Sequence, residues 1–234
     1  MFKLIGDIPV DSGQVLVADP QKIKSLWRDR DGAAIEGIKF WGAGEKEVKQ
    51  SLEEKGYLIE ETQGGTFFIS LRENTKASIK DIKAYIQKKS KEIGKIVVSH
   101  IRTNCTYDII CDSRDNYKQG ANIIIDNKYL GVCFSSGYGD GCYDVFLDKD
   151  NFKCRVVFIQ DMLEGAKKRH IGSINIESNQ VAVIDPCYIE SGIVDIDLGK
   201  VINNFANGMY TVQGLYNQTD WGERICGIEF YRAF

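Results

Sequence analysis

A segment near the start of the chain recurs near its end, and this similarity restricts the fold more than any other feature. Residues 10–20, V-D-S-G-Q-V-L-V-A-D-P, align with residues 176–186, I-E-S-N-Q-V-A-V-I-D-P, at a constant offset of 166. A second pair follows in the same order, G-C-Y-D-V at 141–145 and G-M-Y-T-V at 208–212. Two matched pairs in one order predict a module that is used twice.

Each copy of the first motif has the pattern of a short strand closed by a turn. Gln14–Ala18 and Gln180–Ile184 are mostly apolar, with β-branched residues, and each is followed by Asp-Pro. Proline cannot donate to a β ladder and aspartate favours turns, so both strands are expected to end there.

The spacing between the motifs predicts an inserted domain. Gly141 lies 122 positions after Asp19, whereas Gly208 lies only 23 positions after Asp185. The difference is about the size of a small domain, and such insertions are tolerated where the host ends meet at the surface. We predict three parts, listed by residue: 1–30 with 107–160 as a β-rich first copy, 31–106 as the inserted α+β domain, and 172–234 as a β-rich second copy.

The insert alternates strand and helix patterns. The predicted elements are, in order, strand Ile38–Trp41, helix Glu45–Glu54, a hairpin of Tyr57–Glu61 and Thr66–Leu71 around Gly64-Gly65, helix Ser78–Glu92 and strand Lys95–Ile101. The order βαββαβ is typical of a ferredoxin-like sandwich. The predicted fold class is therefore α+β: a β-rich host of two related halves (an internal duplication) with an inserted ferredoxin-like βαββαβ domain.

The host segments are predicted as strands joined by short helices and loops. Predicted strands are Tyr107–Cys111, Asn122–Ile125, Tyr129–Ser135, Cys142–Leu147, Cys154–Ile159, Met209–Leu215 and Ile225–Tyr231. Helical connectors are predicted within 161–168 and 195–205, and a longer loop over 216–223.

Composition excludes few functions but weighs against two partners. The net charge is −3, and residues 31–106 hold 13 Lys and Arg against 11 Asp and Glu, so nucleic acid is disfavoured. No apolar run reaches the length of a signal peptide core or a membrane span, so no membrane association is expected. The seven cysteines are scattered without a Cys-x-x-Cys pair, which favours reduced thiols and a cytoplasmic location.

The motifs resemble those of an uncharacterised family of small β-rich proteins from bacteria and their phages. The family pattern is V-D-S-G-Q, a short strand, D-P-C-Y and later G-Y-G-D-G-x-Y-P-V; the matching segments are Asp11–Gln14, Asp185–Tyr188 and Ser136–Tyr143. The resemblance covers about 1–30, 107–160 and 172–234. Gln21-Lys22 stands where the family has Cys-Tyr, and in the second copy 207–210 replaces the Gly-Asp-Gly loop. The resemblance implies the β-rich fold and a phage-like accessory role, but no activity.

One glycine-rich loop is the first candidate for a ligand-binding site, and its members are Gly137, Tyr138, Gly139, Asp140, Gly141 and the nearby Tyr143. Its three glycines allow positive φ, and successive N–H groups in such a turn can bind an anion. The alternative is a tight strand connection in which Asp140 accepts bonds from its own turn, and this alternative is favoured. The loop has neither the lysine of a Walker loop nor the following helix of a Rossmann fingerprint.

The repeated aspartates are the second candidate. Asp19 and Asp185 are equivalent by the repeat and, if brought together, could share a metal or a proton. An Asx turn at each strand end is favoured because it explains both copies separately. Tyr188 follows the second Asp-Pro and is included as a candidate ligand contact. His100 and His170 have no metal-ligand spacing, so no metal and no cofactor are expected.

The sequence therefore favours a non-catalytic ligand- or protein-binding accessory protein, encoded by a phage or mobile element and interfering with a host system. Its expected partner is a small molecule or a host protein, and a homo-oligomer is left open. The alternative is an enzyme, a hydrolase or transferase on a phosphorylated small molecule, that uses the loop with Asp140 and Tyr143.

Overall fold

The computed structural model describes residues 1–62, 65–74, 78–117, 119–137, 139–220 and 222–233, with the backbone alone for 114–117. The prediction of a β-rich protein is confirmed: about 50% of the chain is strand and 20% helix, in several antiparallel sheets. The chain divides into two compact units, 1–29 with 109–234 (unit 1) and 30–108 (unit 2). No helix in the described ranges is both long and apolar enough to cross a membrane.

The elements follow in chain order. The first part of unit 1 holds β1 (Lys3–Val10), β2 (Gln14–Ala18) and α1 (Pro20–Leu26). Unit 2 holds β3 (Ile35–Gly42), α2 (Glu45–Glu53), β4 (Glu60–Thr62), β5 (Thr66–Ser70), α3 (Ile79–Ile93), β6 (Val97–Thr103) and the start of α4 (Thr106–Tyr117). The remainder of unit 1 holds β7 (Gly120–Ile125), β8 (Lys128–Ser135), β9 (Gly141–Asp148), β10 (Lys153–Val157), β11 (Lys167–Ile176), β12 (Gln180–Ile184), β13 (Ile189–Glu190), β14 (Ile193–Val194), β15 (Gly199–Asn203), β16 (Gly208–Thr219) and β17 (Gly222–Arg232).

Unit 1 contains a six-stranded sheet, β1-β9-β10-β17-β16-β11, and a five-stranded sheet, β15-β12-β2-β8-β7. Alternation along β2 shows how the second sheet is buried on both faces. Val15 and Val17 belong to one apolar cluster with the six-stranded sheet, while Leu16 and Ala18 belong to a second cluster with Ile23 of α1. Successive strand residues point to opposite faces, so an uninterrupted apolar strand fits this central position.

The two motif copies face each other in the middle of the five-stranded sheet. β2 and β12 pair antiparallel, with Val17 opposite Val183, and the flanking pairs are Leu16–Ile184 and Ala18–Ala182. Residues 17 and 183 are themselves equivalent at the repeat offset of 166, so the pairing is symmetric about them. The six-stranded sheet, β1-β9-β10-β17-β16-β11, has the same symmetry. Its two edge strands, β1 and β11, correspond at the offset of 166, and the strands next to them, β9 and β16, carry the two copies of the second motif.

Unit 2 is a four-stranded antiparallel sheet, β4-β5-β3-β6, with α2 and α3 against it. Its core combines Ile38 and Phe40 of β3 with Val48 of α2 and Ile82 and Ile86 of α3. The predicted helix 78–92 is confirmed as α3. Ser78 caps this helix by accepting a hydrogen bond from the Asp81 N–H at 3.4 Å. The glycine at position 64, within the predicted hairpin turn, lies outside the described residues.

Two host predictions have the wrong type of element. The predicted strand at 107–111 lies in α4, where Asp108 stands in the first turn and Ile110 is buried. Tertiary contacts override the strand preference of its β-branched residues. The helix predicted within 195–205 is instead strand β15, in which Ile202 pairs with Val181 of β12. Gly199 begins this strand, and glycine is a poor helix former.

Two connections are shorter than predicted. The connector at 161–168 contains only one turn of 3-10 helix, Gln160–Met162, and β11 already begins at Lys167. The loop predicted over 216–223 is wrong, because β16 extends to Thr219 and β17 begins at Gly222. Polar residues on exposed strand ends are permitted since one face of an antiparallel pair can meet water.

Candidate functional site

The Asp19 side chain anchors the second motif copy to the first. Asp19 caps α1 and accepts a hydrogen bond from the Gln21 N–H at 2.8 Å. The same carboxylate accepts from the N–H groups of Glu177 and Ser178 at 2.7 and 3.0 Å, and from Ser178 Oγ at 2.7 Å. Asp19 is 1% exposed, so its four acceptor interactions are made inside the protein.

Asp185 makes the reciprocal contacts. It accepts from the Cys187 N–H at 2.8 Å, from the N–H groups of Asp11 and Ser12 at 2.8 and 2.7 Å, and from Ser12 Oγ at 2.5 Å. Its backbone angles, φ −69° and ψ 126°, match the −70° and 126° of Asp19. Each aspartate is therefore occupied by donors of the opposite copy, and no shared metal or proton is required to explain the pair.

Each aspartate and the residues around it are here called a corner. The two corners differ three residues after the aspartate, at the equivalent positions 188 and 22. In one, Tyr188 Oη donates to Asp11 Oδ2 at 2.5 Å. This hydrogen bond to the Asp11 carboxylate raises the pKa of the Tyr188 phenol. In the other corner the equivalent residues are Lys22 and Glu177, and Lys22 Nζ lies 3.5 Å from Glu177 Oε1. A hydrogen bond from a phenol to a carboxylate in one copy is thus replaced by an ion pair in the other.

The charged corner borders a groove of 770 Å³ within unit 1, here called the polar groove. One wall is α1, with Lys22, Ser25 and Leu26. The β7–β8 hairpin contributes Asn122, Asn127, Lys128 and Tyr129. The third wall consists of β11, the residue after it and the start of β16, with His170, Gly172, Ser173, Asn175, Glu177 and Met209. The groove is therefore lined mainly by polar side chains from three parts of the fold.

Local structure fixes the hairpin wall. Asp126 and Asn127 have φ values of 49° and 62°, as the two central residues of a type I′ turn require. On the neighbouring wall, a Cβ at Gly172 would lie 2.2 Å from Asn122 Oδ1. Glycine there lets the Asn122 side chain approach β11, where its Oδ1 accepts a hydrogen bond from the Ser173 N–H at 3.4 Å.

The groove carries more positive than negative charge. Among the residues of the lining that the structure describes, Lys22 and Lys128 are the two lysines and Glu177 is the one carboxylate. Glu177 is already held by Lys22 and by Asn175 Nδ2, which donates to it at 2.5 Å. Tyr129 is 58% exposed on the hairpin. This combination of cations, amides and an exposed ring suits binding of a polar anionic molecule.

The glycine-rich loop is organised around its own turn. Gly137 has φ 79°, and a Cβ there would lie 2.5 Å from the Ile225 carbonyl oxygen. The Gly139 carbonyl accepts from Tyr143 Oη at 2.8 Å and also from Ser136 Oγ. Asp140 and Gly141 are exposed. The candidate at position 138 lies outside the described residues.

The tyrosine of the second motif makes the same contact in both copies. Tyr210, the equivalent of Tyr143 in the second copy, donates its hydroxyl to the Ala206 carbonyl at 2.7 Å, again four residues back. Tyr143 is 6% exposed and Tyr210 is 0% exposed. The pair therefore fixes the chain that enters β9 and β16, and none of the described loop residues lines the polar groove.

A cluster in unit 2 was not predicted from the sequence. Asp108 Oδ1 accepts from Arg30 Nη2 at 2.6 Å and lies 3.4 Å from His100 Nε2, while Oδ2 accepts from the Thr103 N–H at 2.8 Å. Burial alone would raise the pKa of Asp108, but the bonds from His100 and Thr103 and the charge of Arg30 hold it well below its usual range. Because Arg30 and Asp108 are the first and last residues of unit 2, this contact closes the unit at its ends.

All seven cysteines are free. Over the described ranges, no three His, Cys, Asp or Glu side chains form a group that could hold a metal ion. No known protein family matches the chain, and comparisons with curated proteins and with solved structures also find no match.

The groove residues belong neither to the glycine-rich loop nor to the repeated aspartates from which the sequence predicted a site. A usable signal was present in the alignment of the two copies. Lys22 aligns with Tyr188, and Glu177 aligns with Asp11, so the copies differ where the structure has a groove. The hairpin residues had no comparable signal, since their approach to β11 depends on tertiary structure.

Proposed function

We propose that this protein is a non-catalytic binding protein that holds a small molecule in the polar groove. One observation carries the proposal: two corners equivalent in sequence differ in structure. Tyr188 closes one corner on Asp11, whereas Lys22 and Glu177 form a charged pair at the wall of a 770 Å³ groove in the other. That volume lies within the range of about 300–1,000 Å³ typical of ligand sites.

Further support comes from side chains that face this groove without an internal partner. Within the described part of the chain, the side chains of Asn127, Tyr129 and His170 make no hydrogen bond, and all three line the groove. Converging polar groups of this kind give a ligand its orientation. The acids suggested by the sequence, Asp19 and Asp185, are occupied by four donors each, which argues against a role in proton transfer.

We also propose the finer features of the architecture. Duplication of one β-rich module is supported by the symmetric β2–β12 pairing and by the reciprocal aspartates. A ferredoxin-like insertion is supported by the βαββαβ order of unit 2 and its sheet order β4-β5-β3-β6. A phage or mobile-element origin and a host partner rest on the family resemblance alone, and a cytoplasmic location rests on composition and free cysteines.

Native mass spectrometry tests the function directly. The protein is incubated with a protein-free metabolite extract, and the intact complex is weighed before and after denaturation. We expect a small-molecule adduct on the native protein, and its loss in Ser25→Trp, where the indole fills the groove from α1. The matched control is Gln21→Trp, an exposed position on the same helix outside the groove, which should keep the adduct.

Two results would overturn the proposal. An absence of adducts from the native protein would remove the binding function. Recovery of the bound molecule with a changed mass after incubation would show turnover and remove the non-catalytic assignment. Circular dichroism of Ser25→Trp and Gln21→Trp establishes that both variants are folded, so that a lost adduct reports on the groove.

A further inference from the structure

We infer that the ligand class of the polar groove is a mononucleotide, with its phosphate at the lysines and its base against Tyr129. This inference rests on the proposed function, since it names the molecule that the same groove holds. Three kinds of group line the groove, and a mononucleotide is a ligand that uses all three: cations, amides and an exposed aromatic ring.

The cations account for the phosphate. Lys22 approaches the groove from α1, and Lys128 approaches it from the hairpin. Among the described lining residues, Glu177 is the one carboxylate, and it is 3.5 Å from Lys22. Asp126, which lies near Lys128, is ion-paired with Arg28, so Lys128 remains as a second positive charge. Ammonium groups bind phosphate oxygens through charge-assisted hydrogen bonds, and a groove concentrates their field.

The amides account for the edge of the base. Asn122 Oδ1 accepts from the Ser173 N–H, which orients that amide with its nitrogen as the end without a partner among the described residues. Asn175 has the opposite orientation. Its Nδ2 donates to Glu177, so its Oδ1 is the end without a partner among the described residues. Amide side chains pair with base edges because both present a donor beside an acceptor.

The aromatic wall accounts for the face of the base. Tyr129 is 58% exposed on the hairpin, and Met209 is 50% exposed at the start of β16. Bases stack favourably on aromatic rings, and a methionine sulfur packs well against such rings. A sugar phosphate would use the cations and amides but would leave this apolar surface exposed to water.

Isothermal titration calorimetry tests the inference with defined probes: AMP, GMP, CMP and UMP, the four matching nucleosides, ribose 5-phosphate and inorganic phosphate. We expect at least one mononucleotide to bind ten-fold or more tightly than its nucleoside and than ribose 5-phosphate.

Lys128→Ala should weaken binding of that mononucleotide about ten-fold and change binding of its nucleoside little. Tyr129→Ala should weaken the mononucleotide and the nucleoside about ten-fold and ribose 5-phosphate little. Lys24→Ala removes an exposed charge of α1 outside the groove, so it should change the affinity for neither the mononucleotide nor its nucleoside.

The outcomes separate this inference from the proposed function. Equal affinity for ribose 5-phosphate or inorganic phosphate and for the mononucleotides would overturn the nucleotide assignment but leave a phosphate-binding groove. Binding of none of the probes, with a metabolite adduct that Ser25→Trp removes, would overturn the assignment and keep the binding function. Binding of none of the probes together with no adduct would overturn both.

Discussion

At the scale of single residues, the aspartates that resemble catalytic groups act as hydrogen-bond acceptors between the two halves of unit 1. We expect Asp19→Ala and Asp185→Ala each to lower the free energy of unfolding of unit 1 by about 3 kcal/mol, because each removes a buried carboxylate that accepts four hydrogen bonds from partly buried donors. The two values should be similar, since the contacts are equivalent. Urea unfolding followed by Trp27 fluorescence, in a background with the other two tryptophans replaced by Phe, measures both.

Asp140→Ala is the matched control for these variants. Asp140 is exposed, and its replacement should change stability by less than about 0.5 kcal/mol. If Asp19→Ala were as stable as the unmodified protein, the four short contacts of its carboxylate would not contribute to folding, and a ligand role for Asp19 would regain support.

A different carboxylate sets the acid stability of unit 2. The folded-state pKa of Asp108 lies below the value of about 3.9 expected in the unfolded chain, so its contribution is complete above that pH and is lost as the pH falls towards the folded pKa. We expect Asp108→Asn to cost about 2 kcal/mol at pH 7 and progressively less below pH 4. Trp41 fluorescence during urea unfolding, with the other two tryptophans replaced by Phe, reports on unit 2.

The control for this pH dependence is Asp31→Asn, an exposed carboxylate next to Arg30 in the sequence. It should leave both the stability at pH 7 and the acid dependence unchanged. If the difference in the free energy of unfolding between Asp108→Asn and the unmodified protein stayed constant down to pH 2, it would contradict the assignment of a lowered pKa to Asp108.

At the scale of elements, sequence patterns predicted those strands and helices whose signals are local. Gln14–Ala18 has exact bounds because apolar residues and Asp-Pro define both its interior and its end. α3 has a serine cap and an apolar face every three to four residues. α4 and β15 were assigned wrongly because their type depends on the contact of Asp108 with Arg30, on the burial of Ile110 and on pairing with β12, all of which arise only in the folded protein.

The site was less predictable than the fold for the same reason. The glycine-rich loop and the repeated aspartates have recognisable local patterns, but the structure uses them in turns and in contacts between the copies. The polar groove combines α1, a hairpin and β11, which come together only in the folded unit. Lys22 and Glu177 are groove residues that the sequence does distinguish, because they differ from Tyr188 and Asp11 at the equivalent positions.

The turn between β8 and β9 provides a test of the structural role of the loop. Gly137→Ala should cost about 3 kcal/mol, because it places a side chain at φ 79° and a Cβ 2.5 Å from the Ile225 carbonyl oxygen. Gly141→Ala should cost less than about 1 kcal/mol, since its Cβ would meet only the Tyr143 ring at 3.4 Å. Chemical denaturation of the two variants measures the difference, and equal costs would contradict the described turn.

At the scale of the whole molecule, the chain has apolar cores that do not share residues between units. The clusters around Phe230 and around Leu16 are built from unit 1, and the cluster around Phe40 is built entirely from unit 2. A domain with its own core can fold on its own contacts. Loss of one core should therefore leave the other unit close to its original stability.

Two large-to-small substitutions test this independence. Phe40 and Phe230 are both fully buried, so each change to Ala should cost about 3–5 kcal/mol through lost packing and a cavity. Phe40→Ala should shift only the transition reported by Trp41, and Phe230→Ala only the transition reported by Trp27. If each substitution shifted both transitions equally, the two units would unfold as one cooperative block, and the ion pair of Arg30 with Asp108 would not mark the boundary of an independently stable insert.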